Sequence, residues 1–168
     1  MILIGAGANL PDGEGRPPAE TVMRAREALE MRGDMRIRAA SRLWETAPVP
    51  VSDQPWYVNA VFRVETELSP TEMLAALHEI EAAFGRVRRE RWEARVLDLD
   101  LLSYGDLIID GDQLRELVLP HPRMAERAFV LLPLAEIAPD WRHPGTGVAI
   151  ADLVAGLPSD QLCRPLGR

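Results

Sequence analysis

Lysine is absent from this 168-residue chain, and all nineteen of its basic residues are arginine. Genomic base composition alone produces such a bias, so the absence assigns nothing by itself. It does mean that any oxyanion bound here meets a planar guanidinium able to donate two parallel hydrogen bonds. Cysteine occurs once, at Cys163, which excludes an internal disulfide and a thiolate metal cage. Aromatic residues make up only 5% of the chain and form no pairs on strand faces, which argues against a sheet that stacks RNA bases. Positive charge is short overall: the net charge of −7 argues against broad adsorption to nucleic acid or anionic lipid. Apolar runs such as FVLLPLAEIA at 129–138 fall short of a membrane span, and MILIGAGANL lacks the basic flank of a signal peptide. A cytoplasmic enzyme or binder, with neither nucleic acid nor membrane as partner, is the expectation.

No internal repeat, linker or low-complexity tract divides the chain, and its length suits one domain over residues 1–168. ILIGAGANL reads as a short buried strand running into a glycine-rich turn, followed by the polar loop PDGEGRPP. Val22, Ala25 and Leu29 recur at helical spacing in AETVMRAREALEMR, with prolines before the first turn and Gly33 at its end. MRIRAASRLW alternates, setting Met35, Ile37, Ala39 and Leu43 on one face of a second strand. ETAPVPVSDQP at 45–55 holds three prolines and no period, so it reads as a long loop, a class that is usually functional in compact domains. Val58, Ala60, Phe62 and Val64 then alternate along a strand, with Tyr57 and Asn59 opposite the apolar row. Ser69, Pro70 and Glu72 supply an N-cap, a first-turn proline and a capping-box acid ahead of Met73, Leu77, Ile80 and Phe84, and Gly85 closes that helix. VLDLDLLSY is a strand that turns at Gly105 and Asp106 into LIID. Beyond it lie the loop LPHPRMAER, a helix from about Phe129 interrupted by Pro133, and the short helical piece IADLVAGL. The order strand, helix, strand, strand, helix, strand predicts an α+β domain with helices over one face of a mainly antiparallel sheet.

Chemistry concentrates in RERWEARVLDLDLL at 89–102. Strand side chains alternate faces, so Asp98 and Asp100 emerge together while Leu97, Leu99 and Leu101 point the other way. Two carboxylates so close require a cation between them or a proton on one, and magnesium favours one or two carboxylates plus substrate phosphates. Solvated acids on an open sheet face are the bland alternative. The flanking leucines, which make the strand look central and buried, favour the metal. No third protein ligand is evident. Arg86, Arg88, Arg89, Arg91 and Arg95 crowd the preceding loop, which would be an ordinary solvated turn but for Trp92, a ring placed to stack on a heterocycle. His121, stiffened between two prolines, could donate to phosphate or be merely structural. His78 and Glu81, three residues apart, read on periodicity as an exposed pair. Asn59 offers donor and acceptor in one plane, as a heterocycle requires, although Tyr57 and Asn59 could equally cap a sheet edge. Neither GxxxxGK[ST] nor GxGxxG is present, so a phosphate site must be built some other way.

Four ordered blocks, GANL, SRLWETAPVPVSDQPWYVNAV, GRVRRERWEARVLDLDLL and LPHPRMAERAFVLLPLAEIAP, together resemble the 6-hydroxymethyl-7,8-dihydropterin pyrophosphokinase family nearly end to end. The resemblance implies a ferredoxin-like fold and transfer of the β,γ-pyrophosphoryl group of ATP to the pterin hydroxymethyl oxygen, releasing AMP, in folate biosynthesis. It implies two magnesium ions bridging ATP to Asp98 and Asp100, with Arg86 and Arg95 joining them as catalytic phosphate clamps. Pterin is expected between Trp92 and Phe129, bonded to Asn59 and to the backbone of Thr46, Ala47, Pro48 and Val49, with Tyr57 nearby. ATP is expected on His78, Glu81, Arg86, Arg88, Trp92, Arg95, His121, Arg123 and Arg127. The loops at about 45–54 and 85–95 are implied to close over substrates, and a monomer is expected. Many members have Gly-Pro where this chain has Glu93 and Ala94, Pro-Leu-Gly at Pro48, Val49 and Pro50, and glutamine at His78. Two other classes are compatible with parts of the pattern: a non-catalytic nucleotide or nucleic-acid module, and a two-metal nuclease or nucleotidyl transferase. AMP as product distinguishes the pyrophosphokinase from both.

Overall fold

A ten-residue strand, β4 (Tyr57–Thr66), organises the sheet in the computed structural model, which describes residues 1–48, 53–85, 96–110 and 117–167. Along one edge β4 pairs with β1 (Ile2–Ala8), from Ile2 opposite Val64 to Ala8 opposite Val58. Its other edge is shared by β2 (Met35–Ala40) and β3 (Trp44–Thr46). Beyond β1 lies β5 (Asp98–Tyr104), and beyond β3 lies β6 (Cys163–Pro165), so the order is β5–β1–β4–β3–β6 with β2 beside β4. Every pairing is antiparallel.

Several expectations need correction. The glycines of GAGA do not form a turn; they lie inside β1, which runs through Ala8. MRIRAASRLW is not one strand. The register slips between Ile37 and Ala39, and Ser41 then bonds Val61 twice, its N–H to the carbonyl oxygen and its Oγ from the amide, both at 3.0 Å. A side chain thereby replaces the ladder, and the chain re-enters the sheet at Trp44. Glu45 and Thr46, expected in the long loop, belong to β3. LIID does not fold back as a strand: Ile109 makes a single bridge to Leu119. Among the described residues β5 is an edge strand, not a central one.

The helices start where local chemistry says they should. In α2 (Pro70–Ala83) the Ser69 Oγ accepts from Glu72 N, and the Glu72 carboxylate accepts from Ser69 N at 2.8 Å, which satisfies two otherwise orphaned donors. Gly85, at φ +84°, ends it in the left-handed region that suits glycine. α1 (Pro18–Met31) opens on Pro17 and Pro18 and buries Val22, Ala25 and Leu29. Helix α3 (Ala128–Ile137) continues through Pro133, against the expected interruption. Burial of Val130, Leu131 and Leu134 against the sheet outweighs the hydrogen bond that proline removes. α4 (Ile150–Ala155) follows, and no helix is long and apolar enough to cross a membrane among the described residues.

Helices cover both faces of the sheet, where one was expected. On the first face Ile4, Ala6 and Ala8, with Val58, Ala60, Phe62 and Val64 and with Leu97, Leu99 and Leu101, pack under α1 and α2. On the second, Leu3, Val61 and Leu102 pack under α3 and α4. That second cluster takes up only part of its face. Glu136 on α3 accepts from Arg42 N (3.0 Å) and Trp44 Nε1 (3.2 Å), which fixes the start of β3 against it.

Candidate active site

Sheet register assembles the remainder of the second face into the floor of a cleft. Asp98 on β5 pairs with Gly7 on β1, Gly7 with Asn59 on β4, and Asn59 with Trp44 on β3. One step along, Asp100 lies opposite Gly5, and Gly5 opposite Val61. The carboxylates and the amide therefore share one surface, separated on β1 by Gly5 and Gly7, which place no side chain there. A Cβ built on Gly7 would sit 2.9 Å from Asn59 Oδ1, closer than a methyl and an oxygen tolerate, so glycine is required for the amide to stand where it does. The resulting cavity, about 910 Å³, has the volume of a small-ligand site.

Asn59 is 5% exposed, and its Nδ2 donates to Thr46 Oγ1 at 2.9 Å, a bond between two of the expected pterin contacts. Asn9, from the GANL block, is buried at the end of β1 and donates to Gln54 Oε1 and to the Pro55 carbonyl, both at 3.3 Å. It ties Gln54 and Pro55, just before β4, to the end of β1. Tyr57 Oη lies 3.5 Å from the same Gln54 oxygen.

Asp98 and Asp100 both line the cavity. Among the described residues no cluster of three histidine, cysteine or acidic side chains could by itself hold a metal. Two carboxylates, with no third protein ligand among the described residues, are a donor set suited to magnesium that completes its octahedron with phosphate and water. Behind them, Glu81 corrects the reading of an exposed pair with His78. It is 1% exposed, and its Oε1 accepts from Leu99 N at 2.7 Å, between the two aspartates.

His121 sits at the mouth of the second cluster, its N–H on the Leu102 carbonyl at 2.8 Å. Burial and the nearby Arg127 guanidinium lower its pKa to about 4, against the opposing pull of Asp98. At neutral pH the ring is uncharged. Its Nδ1 accepts from Arg123 N at 3.2 Å, which leaves Nε2 to carry the proton and to act as donor. The Arg127 guanidinium lies over the Phe129 ring, 5.4 Å from its centre. Burial pushes the Cys163 thiol up to about 12, so it is an inert protonated group on β6.

Of the expected site residues, Thr46, Ala47, Pro48, Tyr57, Asn59, Asp98, Asp100, Arg123, Arg127 and Phe129 line one cavity. His78 and Glu81, on α2, and His121 are not among its lining residues. Val49, Arg86, Arg88, Trp92 and Arg95 lie outside the described residues. Sequence reasoning missed Gly5, Gly7, Gln54, Gly156, Leu157, Pro158 and Gln161, all of which line the cavity. Alternation of Gly5 and Gly7 with Ala6 and Ala8 was the available signal for the first two; the C-terminal segment carries no such pattern.

The profile of the family described as 7,8-dihydro-6-hydroxymethylpterin-pyrophosphokinase matches residues 3–139. A Pseudomonas aeruginosa protein named 2-amino-4-hydroxy-6-hydroxymethyldihydropteridine pyrophosphokinase is 39% identical over 163 residues, 97% of this chain and 95% of that one. Its namesake in Haemophilus influenzae is 40% identical over 151 residues, 90% of this chain and 89% of that one. Among solved structures, a Plasmodium falciparum HPPK-DHPS triple mutant superposes with a TM-score of 0.69 at 15% identity, covering 92% of this chain. The chain spans only 43% of that longer protein, and the likeness carries the fold alone.

Proposed function

Because the chain belongs to the 7,8-dihydro-6-hydroxymethylpterin-pyrophosphokinase family, whose reaction delivers a pyrophosphoryl group to hydroxymethyldihydropterin in folate biosynthesis, we propose that the cleft on the second sheet face performs this transfer with ATP as donor. The observation that carries this reading is the row Asp98, Gly7, Asn59: a carboxylate pair and a recognition amide on one surface with side-chain-free space between.

In this reading the pterin hydroxymethyl oxygen attacks the β-phosphorus of ATP. The bond from that phosphorus to the oxygen bridging it to the α-phosphorus breaks, AMP leaves, and the hydroxyl proton passes to solvent. Asn59 supplies donor and acceptor in the plane of the heterocycle, Thr46 to Val49 the neighbouring backbone contacts, Tyr57 a flanking wall, and Phe129 with Trp92 its stacking faces. Arg123, Arg127 and the Nε2–H of neutral His121 hold phosphate oxygens, and Arg86, Arg88 and Arg95 add further guanidinium contacts. Glu81, expected on the nucleotide, acts instead by holding β5, and His78 extends the nucleotide side from α2. Asp98 and Asp100 would hold two magnesium ions, which when bound screen the triphosphate and make its β-phosphorus more electrophilic. The protein's own contribution is position: it brings alcohol and phosphate together in line and excludes water.

We further read residues 1–168 as one ferredoxin-like domain acting as a monomer. The order β1, α1, β2 with β3, β4, α2, β5, and the placing of β4 between β1 and β2, support the fold. Incubation with magnesium, ATP and 6-hydroxymethyl-7,8-dihydropterin, read by chromatography, is expected to yield AMP and the pterin diphosphate. ADP as the sole nucleotide product, or no turnover, overturns the reading.

A further inference from the structure

The first residue of α3 raises a capping problem. Ala128 N–H has no partner within its helix, and the N-cap residue is Arg127, whose guanidinium has no acceptor to offer. The missing acceptor comes from 33 residues further along the chain: Ala128 N donates to Gln161 Oε1 at 2.8 Å. The other half of the same amide reaches back across Arg127, with Gln161 Nε2 donating to the Glu126 carbonyl oxygen at 2.7 Å. One planar side chain thus grips the backbone immediately before and immediately after Arg127, and only this orientation of the amide satisfies both ends.

We propose that Gln161 is a positioning residue of the active site, an amide clamp that sets Arg127 and Phe129 toward substrate, and that Gly156–Gln161 forms a wall of the cleft. The inference rests on the functional reading above for the roles of Arg127 and Phe129. Three observations carry it. Gly156, Leu157, Pro158 and Gln161 line the same cavity as Asp98 and Asn59. The clamp spans a residue whose guanidinium lies over the Phe129 ring, so displacing that peptide moves both groups together. The segment is held in place from its other side as well, where the Leu162 carbonyl accepts from Ala47 N at 3.1 Å and β6 pairs with β3. The C-terminal segment therefore links the Thr46–Pro48 side of the cleft to the Arg127–Phe129 side. It lies beyond the stretch that carries the family match, so the family's motifs do not reveal it.

The test uses the full chain with Gln161→Met, which keeps length and loses both bonds, and Gln161→Glu, which keeps the acceptor for Ala128 N–H and loses the donor. Two neutral hydrogen bonds on a part-exposed backbone correspond to roughly a tenfold effect. In Q161M the KM values for pterin and ATP are expected to rise about tenfold with kcat within about threefold of wild type. A residue that served only global stability would lower the active fraction and leave both KM values unchanged, and that result overturns the proposal. Amide hydrogen exchange supplies an independent readout. Ala128 N–H should exchange faster in Q161M and stay protected in Q161E; protection unchanged in Q161M sinks the clamp whether or not the protein is catalytically active. If wild type makes no AMP while exchange behaves as stated, the functional reading fails and the clamp stands.

Discussion

The two faces of this sheet are built from alternate residues of the same strands, yet they are used differently. On the face under α1 and α2 Ile4, Ala6, Ala8, Val58, Ala60, Phe62, Val64, Leu97, Leu99 and Leu101 form one continuous apolar layer. On the other face α3 and α4 cover Leu3, Val61 and Leu102, while Gly5, Gly7, Asn59, Asp98 and Asp100 beside them stay open as the cleft floor. A complete core on one side is what allows the other to hold paired carboxylates and bare glycine backbone, neither of which contributes burial. Functional groups on rigid strands are also better positioned than groups on loops alone.

Neighbouring residues of β5 give the sharpest way to break this contrast. Asp100→Ala should reduce turnover by about 10³-fold or more while leaving the thermal midpoint unchanged or higher, since it relieves like-charge repulsion. Near-normal turnover would overturn the proposed role of Asp100 as a metal ligand. One position back, Leu99→Ala empties part of the continuous core and should cost about 2–5 kcal/mol in urea unfolding, with KM values unchanged in the folded protein. If Leu99→Ala instead altered KM without loss of stability, the division of labour between faces would be wrong.

His121 offers a third comparison. Its folded pKa, about 4, lies below the usual value of 6.5, so the unfolded chain takes up the proton first as pH falls. The stabilisation is present above about pH 6.5 and is lost between there and about 4. Relative to His121→Asn, wild type should lose on the order of 2 kcal/mol between pH 7.5 and 4.5 in denaturant melts. Equal losses in both proteins would show that the ring is not held neutral by its surroundings. The smallest effect concerns the cleft floor: Gly7→Ala crowds Asn59 Oδ1 and should raise the pterin KM about tenfold, with a much weaker effect on ATP. Equal shifts for both substrates would move Asn59 away from the heterocycle.

What could be read from the amino-acid order follows from range. The capping box of α2, the glycine stops and the alternation of β4 and β5 are set by residues a few positions apart, and they appear in the structure as expected. The break at Ser41 was hidden because Leu43 continues an alternating pattern even though a serine side chain has replaced the ladder. Gly5 and Gly7 resembled a turn, since glycine is as common there as in strands that leave room for a ligand. The aspartate pair was legible, but its strand was misjudged as central: leucine on one face looks the same whether the next neighbour is a strand or a helix. The edge position and the reach of Gln161 depend on contacts between distant segments, and no local pattern encodes them.

Glu81 gains its meaning from that edge. A terminal strand presents outward-pointing amides that invite another chain to add itself to the sheet. Here the outward amide of Leu99 is already occupied by a buried carboxylate from α2. The bond lies between the two acids of the cleft, so the group that occupies this amide also fixes the local shape of the strand that carries them. A change that frees the amide would therefore shift the acid pair as well.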